Sequence, residues 1–288
     1  MTRDTKKYEN LPPLRDIIAE FGLGARRSLG QHFLLDLNLT DRIARSAGDL
    51  SNKTVIEVGP GPGGLTRALL GTDVQHVYAI ERDKRCVAAL KSLGELHSDR
   101  LTVLEEDALK FDLNRLPTND TITIVANLPY NISVPLLIGW LRQARVIDSM
   151  TLMFQKEVAD RLKAIPGSKE YGRISVITQW LCDVEVTFSV PPRAFVPPPN
   201  VMSSVVRLTP RSKPLSPASF ETLEKVTAAA FGQRRKMLRS AFKSLHSDPD
   251  GLLESAGINP KARAETLAVE DFCKISEVYR STIDADHC

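Results

Sequence analysis

Val55-Ile56-Glu57-Val58-Gly59-Pro60-Gly61-Pro62-Gly63-Gly64 is an apolar run that empties into a turn with almost no side chains. A short buried strand followed by such a turn starts a βαβ unit, and the carboxyl end of that strand is where open α/β sheets bind ligands. Downstream the pattern repeats. Apolar runs at Val77 to Ile80, Leu101 to Leu104, Ile122 to Ala126 and Leu152 to Phe154 alternate with amphipathic segments near 64–71, 83–93, 133–144, 156–164 and 171–181. This alternation predicts a parallel sheet with helices on both faces, an α/β fold of the Rossmann-like kind.

Upstream, Leu11, Leu14, Ile17, Ile18 and Phe21 recur at helical spacing until Gly22 and Gly24, and a basic stretch, Ala25 to Leu34, follows. Beyond the parallel unit come two further β-like runs, Val184 to Phe188 and Val201 to Leu208. Pro191 to Pro199 lies between them, too rich in proline for a sheet or helix interior, and reads as a stiff loop. Pro210 to Pro217 reads as a linker, and everything after it as helical, with one stripe on Phe220, Leu223, Val226, Ala230 and Phe231 and another on Met237, Leu238, Ala241, Phe242 and Leu245. The expected organisation is an N-terminal helix and lid segment over 1–35, a catalytic domain over 36–209 and a smaller all-helical domain over 210–288.

Composition excludes more than it selects. The 288 residues suffice for one large domain and one smaller one. Lys plus Arg number 38 against 35 Asp plus Glu, so any polyanion site must come from local clustering of charge. Cys86, Cys182, Cys273 and Cys288 form no Cys-x-x-Cys pair, and the five histidines are scattered, which argues against zinc or a disulfide framework and for reduced thiols in the cytoplasm. No run approaches the roughly 20 apolar residues of a membrane span.

The glycine loop admits NAD or FAD, but Pro60 and Pro62 lack the N–H donors that cradle a pyrophosphate. A sulfonium cofactor has no phosphates and tolerates that loss. Glu81 ends the second strand, where a carboxylate accepts hydrogen bonds from ribose hydroxyls. Asp83 reads as the N-cap of the next helix. Asp107 ends the third strand, either as a partner for the amine of the cofactor's adenine or as part of a plain acidic loop.

Asn127-Leu128-Pro129-Tyr130 closes the fourth strand with an amide, rigid carbonyls and an aromatic face. Those parts suit methyl transfer to an adenine amine. The amine's lone pair is delocalised into the ring; acceptors on its two hydrogens, the Asn127 side-chain oxygen and the Leu128 carbonyl, pyramidalise the nitrogen and aim that pair. No strong base is needed, and catalysis rests on positioning and electrostatics. Tyr130, with Phe195 opposite, would stack on the base at about 1–3 kcal/mol per base, comparable with the cost of flipping it out. Core packing is the competing reading for both rings.

Gly232 to Lys243 carries Arg234, Arg235, Lys236, Arg239 and Lys243 and no acid. Read as one helix, it places Arg235, Arg239 and Lys243 on a single i, i+4 row, a repulsion that a polyanion partner would relieve; a solvated face is the competing reading. Arg26, Arg27 and Arg193 would extend the track.

These residues resemble the rRNA adenine dimethyltransferases, in particular the bacterial small-subunit (16S) family. The resemblance covers nearly the whole chain, through Gly30-Gln31-His32-Phe33-Leu34, Glu57 to Gly61, Asn127 to Ser133, Phe154-Gln155-Lys156-Glu157-Val158, Pro191 to Leu208 and Phe231 to Lys236. It implies a class I S-adenosylmethionine-dependent methyltransferase fold and dimethylation of two adjacent adenines in the 3′-terminal 16S hairpin. It also implies a role in late 30S assembly; the scattered histidines point to no metal, the scattered cysteines to the cytoplasm, and the lack of an exposed heptad to a monomer. By position it implies cofactor contacts from His32, Leu34, Gly59, Gly61, Glu81, Asp107 and Asn127. Met202, where relatives commonly carry Asp, and Arg193 depart from the pattern. The runners-up are a 23S methyltransferase of the macrolide-resistance type and a non-catalytic RNA-binding assembly or transcription factor; an NAD-dependent oxidoreductase lacks a hydride-transfer residue set.

Overall fold

The computed structural model describes residues 11–26, 29–96, 99–118 and 121–286. Contacts divide it into two units, one holding residues up to Lys156 together with Glu185–Thr209, the other Glu157–Val184 with Pro210 onward. The division differs from a cut at 209/210 because residues 157–184 fold with the C-terminal helices.

In the first unit, helix α1 (Leu14–Glu20) precedes a two-residue strand, β1 (Phe33–Leu34), and helix α2 (Leu37–Ser46). Sequence periodicity missed α2. Its start is held by Asp36, whose carboxylate accepts from Asn38 N at 2.9 Å. Then come β2 (Thr54–Val58), α3 (Gly64–Leu70), β3 (His76–Glu81), α4 (Lys84–Leu96) and β4 (Leu101–Glu105). After them follow β5 (Ile122–Asn127), α5 (Ser133–Leu141) and β6 (Ile147–Gln155). Helices α6 (Lys156–Leu162) and α7 (Arg173–Leu181) lie almost wholly in the second unit. The chain returns through β7 (Cys182–Val190), β8 (Phe195–Val196) and β9 (Ser203–Pro210).

The main sheet has the order β4-β3-β2-β5-β6-β9-β7. Its first five strands pair in parallel and β9 runs antiparallel to β6, so the sheet is mixed where the alternation implied parallel. All five residues of β2 are buried, as expected of a central strand covered on both faces. From β2 the chain steps outward to β3 and β4, then crosses to β5 on the other side. That reversal opens a crevice at the carboxyl ends of β2 and β5, and both sequence motifs end there. The proline-rich loop is not wholly irregular: β8 pairs antiparallel with β1, Phe33 opposite Val196 and Leu34 opposite Phe195.

The second unit adds α8 (Phe220–Gly232), α9 (Leu238–Ala241), α10 (Pro249–Ser255) and α11 (Val269–Asp286). Its core joins Tyr171, Val176 and Trp180 from the 157–184 insertion to Leu223, Val226, Phe242, Leu253 and Phe272. Sharing that core is why the insertion belongs with these helices. No helix among the described residues is long and apolar enough to cross a membrane. Cys86, Cys182 and Cys273 are buried free thiols; Cys288 lies outside the described residues.

Candidate active site

The crevice is lined by 29–34, 57–62, 80–82, 106–108 and 127–132. It therefore gathers His32, Leu34, Gly59, Gly61, Glu81, Asp107 and the whole Asn127-Leu128-Pro129-Tyr130 tetrapeptide. Phe195 is not among the lining residues.

The floor is the glycine loop. Gly59 and Gly61 take φ of +67° and +57°, which only glycine adopts without strain. The space above Gly61 is closed by the lid segment, since a Cβ there would stand 3.1 Å from the Phe33 ring. A Cβ on Gly64, the first residue of α3, would stand 2.7 Å from the Leu34 carbonyl oxygen. Lid backbone thus rests directly on the start of the helix.

Two carboxyls lie beneath the loop. Glu81 is 6% exposed; its Oε2 accepts from Gly61 N at 3.2 Å and its Oε1 from Asp83 N at 2.8 Å. Burial raises its pKa above the ordinary value, although both bonds favour the anion. Glu57 is 1% exposed, and its Oε2 has no partner. Burial pushes its pKa up to about 8, with the charge on Glu81 adding to the effect. Asp83 caps α4 as expected, accepting from Arg85 N at 3.2 Å, and it also takes the Arg85 guanidinium and the Gln31 amide. Asp107 stands at the rim, its Oδ1 accepting from Leu109 N at 3.1 Å and its Oδ2 3.7 Å from the exposed Arg82.

Opposite the loop, Asn127 donates through Nδ2 to the His32 carbonyl at 3.1 Å. Its Oδ1 and the Leu128 carbonyl accept no hydrogen bond from another described residue. The Tyr130 hydroxyl lies 2.5 Å from Ser203 Oγ, which anchors the ring, and burial raises the phenol's pKa. No local sequence signal marked Ser203; the return of β9 beside β6 places it there. Tyr130 stacks on His32 with centroids 5.5 Å apart.

Two expectations need correcting. Phe195 is 2% exposed and belongs to the core around Val125, Met153 and Val205, so it offers no open face to a base; its packing against the His32 ring and its ladder pairing with Leu34 link it to the crevice. Its apolar bulk is satisfied by burial beneath the paired lid.

The basic segment is not one helix either. Gln233 leaves helical geometry at φ −128°, ψ 53°, and Met237 is extended at φ −64°, ψ 150°. Backbone bonds from Leu238 N to Ala262 O and from Arg239 N to Pro260 O tie this stretch to a distant one, with Met237 bridged to Arg263. Arg235, Arg239 and Lys243 therefore share no helical row. Arg234 is committed to structure, donating to Glu265 at 3.0 Å and to the Ser168 carbonyl at 3.1 Å. Arg235, Lys236, Arg239 and Lys243 are exposed, and so are Lys261 and Arg263, which the pairing brings alongside and which sequence reasoning missed. Arg26 and Arg193 are exposed on the first unit; Arg27 lies outside the described residues.

The family model "Ribosomal RNA adenine dimethylase" matches residues 22–281. The chain is 59% identical to the ribosomal RNA small subunit methyltransferase A of Rhodospirillum rubrum over 268 residues, covering 93% of this chain and 92% of that one. The protein of the same name from Paramagnetospirillum magneticum is also 59% identical, over 93% and 94% of the two chains. Among solved structures, a dimethyladenosine transferase from Plasmodium falciparum superimposes with TM-score 0.74 at 27% identity, covering 87% of this chain and 98% of that one. The 23S rRNA methyltransferase ErmE follows at 0.63 and 26%, covering 86% and 99%. With the family model matching most of the chain and relatives this similar over nearly their full length, the chain belongs to the ribosomal RNA adenine dimethylase family.

Proposed function

We propose that this chain methylates the exocyclic N6 amines of two adjacent adenines in the 3′-terminal hairpin loop of 16S rRNA, giving dimethyladenosines. It acts on the 30S subunit or its precursor, as a cytoplasmic monomer, late in subunit assembly. The observation that carries the chemistry is the pair of uncommitted acceptors, Asn127 Oδ1 and the Leu128 carbonyl, on the wall facing the glycine loop.

S-adenosylmethionine, when bound, supplies a methyl group on a sulfonium, an electrophile that needs no metal. The crevice fits it. Glu81 presents a buried carboxyl that still has lone pairs for two ribose hydroxyls. Asp107 likewise keeps acceptor capacity for an adenine amine, and Gly59 and Gly61 present side-chain-free backbone along the crevice. The His32 and Leu34 backbone closes the top, while Asn127 borders the reacting end.

On the substrate side, Asn127 Oδ1 and the Leu128 carbonyl accept the two N6 hydrogens and orient the lone pair. Pro129 stiffens the backbone behind them, and Tyr130, anchored by Ser203, provides the stacking face. The exposed cations Arg235, Lys236, Arg239 and Lys243, joined by Lys261 and Arg263, bind the RNA backbone. Arg234 supports them by fixing the turn.

Relatives at 59% identity are named for the small subunit, and Phe231 to Lys236 and the Pro-Pro-Pro-Asn-Val segment match that type, so the 23S reading is not favoured. The test is incubation with labelled S-adenosylmethionine and unmethylated 30S particles, followed by mass analysis of the RNA. Label should appear in 16S RNA as dimethyladenosine; label confined to 23S RNA would sink the assignment.

A further inference from the structure

His32 occupies a position that none of its expected roles requires. Its imidazole stacks on Tyr130, with centroids 5.5 Å apart and ring planes 27° apart, and it meets Phe195 edge-on at 6.4 Å and 80°. It is therefore a flat nitrogen heterocycle held between the two aromatic rings that the sequence offers to a target base. We propose that His32 holds the place of the target adenine, so that the base enters only when the lid segment carrying His32 lifts. The inference rests on the adenine-methyltransferase reading above.

The place-holder is fastened at three points. His32 Nδ1 donates to the Pro197 carbonyl at 2.8 Å, and the His32 carbonyl accepts from Asn127 Nδ2 at 3.1 Å. The next two residues pair with β8, Phe33 opposite Val196 and Leu34 opposite Phe195. Lid backbone also lies tight against the substrate-side segment, because a Cβ on Gly30 would stand 2.7 Å from Asn131 Oδ1. Lifting His32 undoes the first two contacts together. It frees the face of Tyr130, exposes the edge of Phe195 and returns the Asn127 amide to a base placed beside it. The face of Tyr130 and the edge of Phe195 then become available only in the open lid, while the rest of Phe195 stays in the core. A closed slot discriminates against free adenine nucleosides, which bring no other contacts to offset the lid's opening. An RNA that binds elsewhere on the protein can do so.

The test uses the full chain with S-adenosylhomocysteine saturating the cofactor site, so that added adenosine cannot bind there, and measures adenosine binding by calorimetry. H32A opens the slot and should bind adenosine about tenfold or more tighter than wild type, a fraction of what base stacking supplies. H32F keeps a flat ring in place and should show no gain, and Y130A added to H32A should remove it. Equal binding by wild type and H32A, or a gain that survives Y130A, would overturn the proposal. Should H32A fail to fold, the wild type decides. With 13C-labelled histidine, adding S-adenosylhomocysteine and an RNA hairpin carrying two adjacent loop adenines should shift the His32 ring signals away from their Tyr130-stacked positions. Unmoved signals on a bound RNA would overturn it. A wild type that methylates rRNA while H32A gains nothing refutes the place-holder alone; a wild type that methylates no rRNA refutes the reading beneath it.

Discussion

Glu57 offers the sharpest thermodynamic test of the site, because a carboxyl with 1% exposure and an unpartnered oxygen leaves a pH signature on folding. Burial pushes its folded pKa up to about 8 from the ordinary value of 4.5, with Glu81 contributing. A raised carboxyl pKa means that the folded state holds a proton which the unfolded state releases above pH 4.5. The protein is therefore most favoured below that value, loses stability steadily as pH rises through the window from 4.5 to about 8, and levels off beyond it. Each pH unit inside the window is worth about 1.4 kcal/mol, so the cost of keeping Glu57 protonated is about 3 kcal/mol at pH 7 and approaches about 5 kcal/mol at pH 8.

Glu57→Gln keeps the shape of the protonated acid and removes the titration. The variant should match wild type at pH 4.5 and become progressively more stable, by about 3 kcal/mol at pH 7. Urea unfolding at pH 5, 6, 7 and 8 measures this. In a Trp180→Phe background, Trp140 is the single tryptophan and reports on the unit that contains Glu57. Other titrations occur in both proteins and cancel in the difference. A stability difference that stays constant from pH 5 to pH 8, or a wild type more stable than the variant at pH 8, would refute the assignment of a buried, protonated Glu57.

Asn127→Ala should abolish methyl transfer while leaving association with the 30S particle intact in a filter-binding assay; wild-type turnover would remove the amine-orienting role from Asn127. Replacing Arg235 and Arg239 together by Glu should weaken RNA binding and lower the slope of log affinity against log salt by about 2 times 0.7–0.9, and unchanged affinity would return these cations to a solvated surface. Gly64→Ala forces a Cβ to within 2.7 Å of the Leu34 carbonyl, a backbone atom, so the lid must shift and the dissociation constant for S-adenosylmethionine should rise about tenfold. Gly94→Ala is the contrasting case: among the described residues its Cβ would meet Leu101 alone, at 4.0 Å inside a helix, and a thermal scan should show stabilisation of about 0.5–1 kcal/mol. Cofactor affinity unaffected by Gly64→Ala would contradict the lid contact.

What could be read from sequence and what could not divides along the range of the interactions involved. The β2 run and its glycine turn are local: five buried residues, then backbone angles that only glycine accepts, so strand, turn and ligand crevice follow from adjacent letters. Glu81 and Asp107 could be placed at the crevice because parallel strands carry their ends to one edge of the sheet, Glu81 as the last residue of β3 and Asp107 two residues past the end of β4. The basic segment misled for the converse reason. Met237, Leu238, Ala241 and Phe242 have helical spacing, but the backbone at 237–239 is claimed by Pro260, Ala262 and Arg263, and no pattern within Gly232 to Lys243 announces that pairing. The same distant pairing recruits Lys261 and Arg263 to the cationic surface, so the error of secondary structure and the omission of two residues have one cause. Phe195 shows a further limit. Its residue type is right for a base-stacking face, yet whether it faces a base or a core depends on a two-residue ladder to Phe33 and Leu34, far away in the chain. The strongest statements from sequence therefore concern the chemistry that backbone and strand ends assemble. Which aromatic face is open is decided by the lid, whose contacts with Pro197, Asn127 and β8 are all long-range.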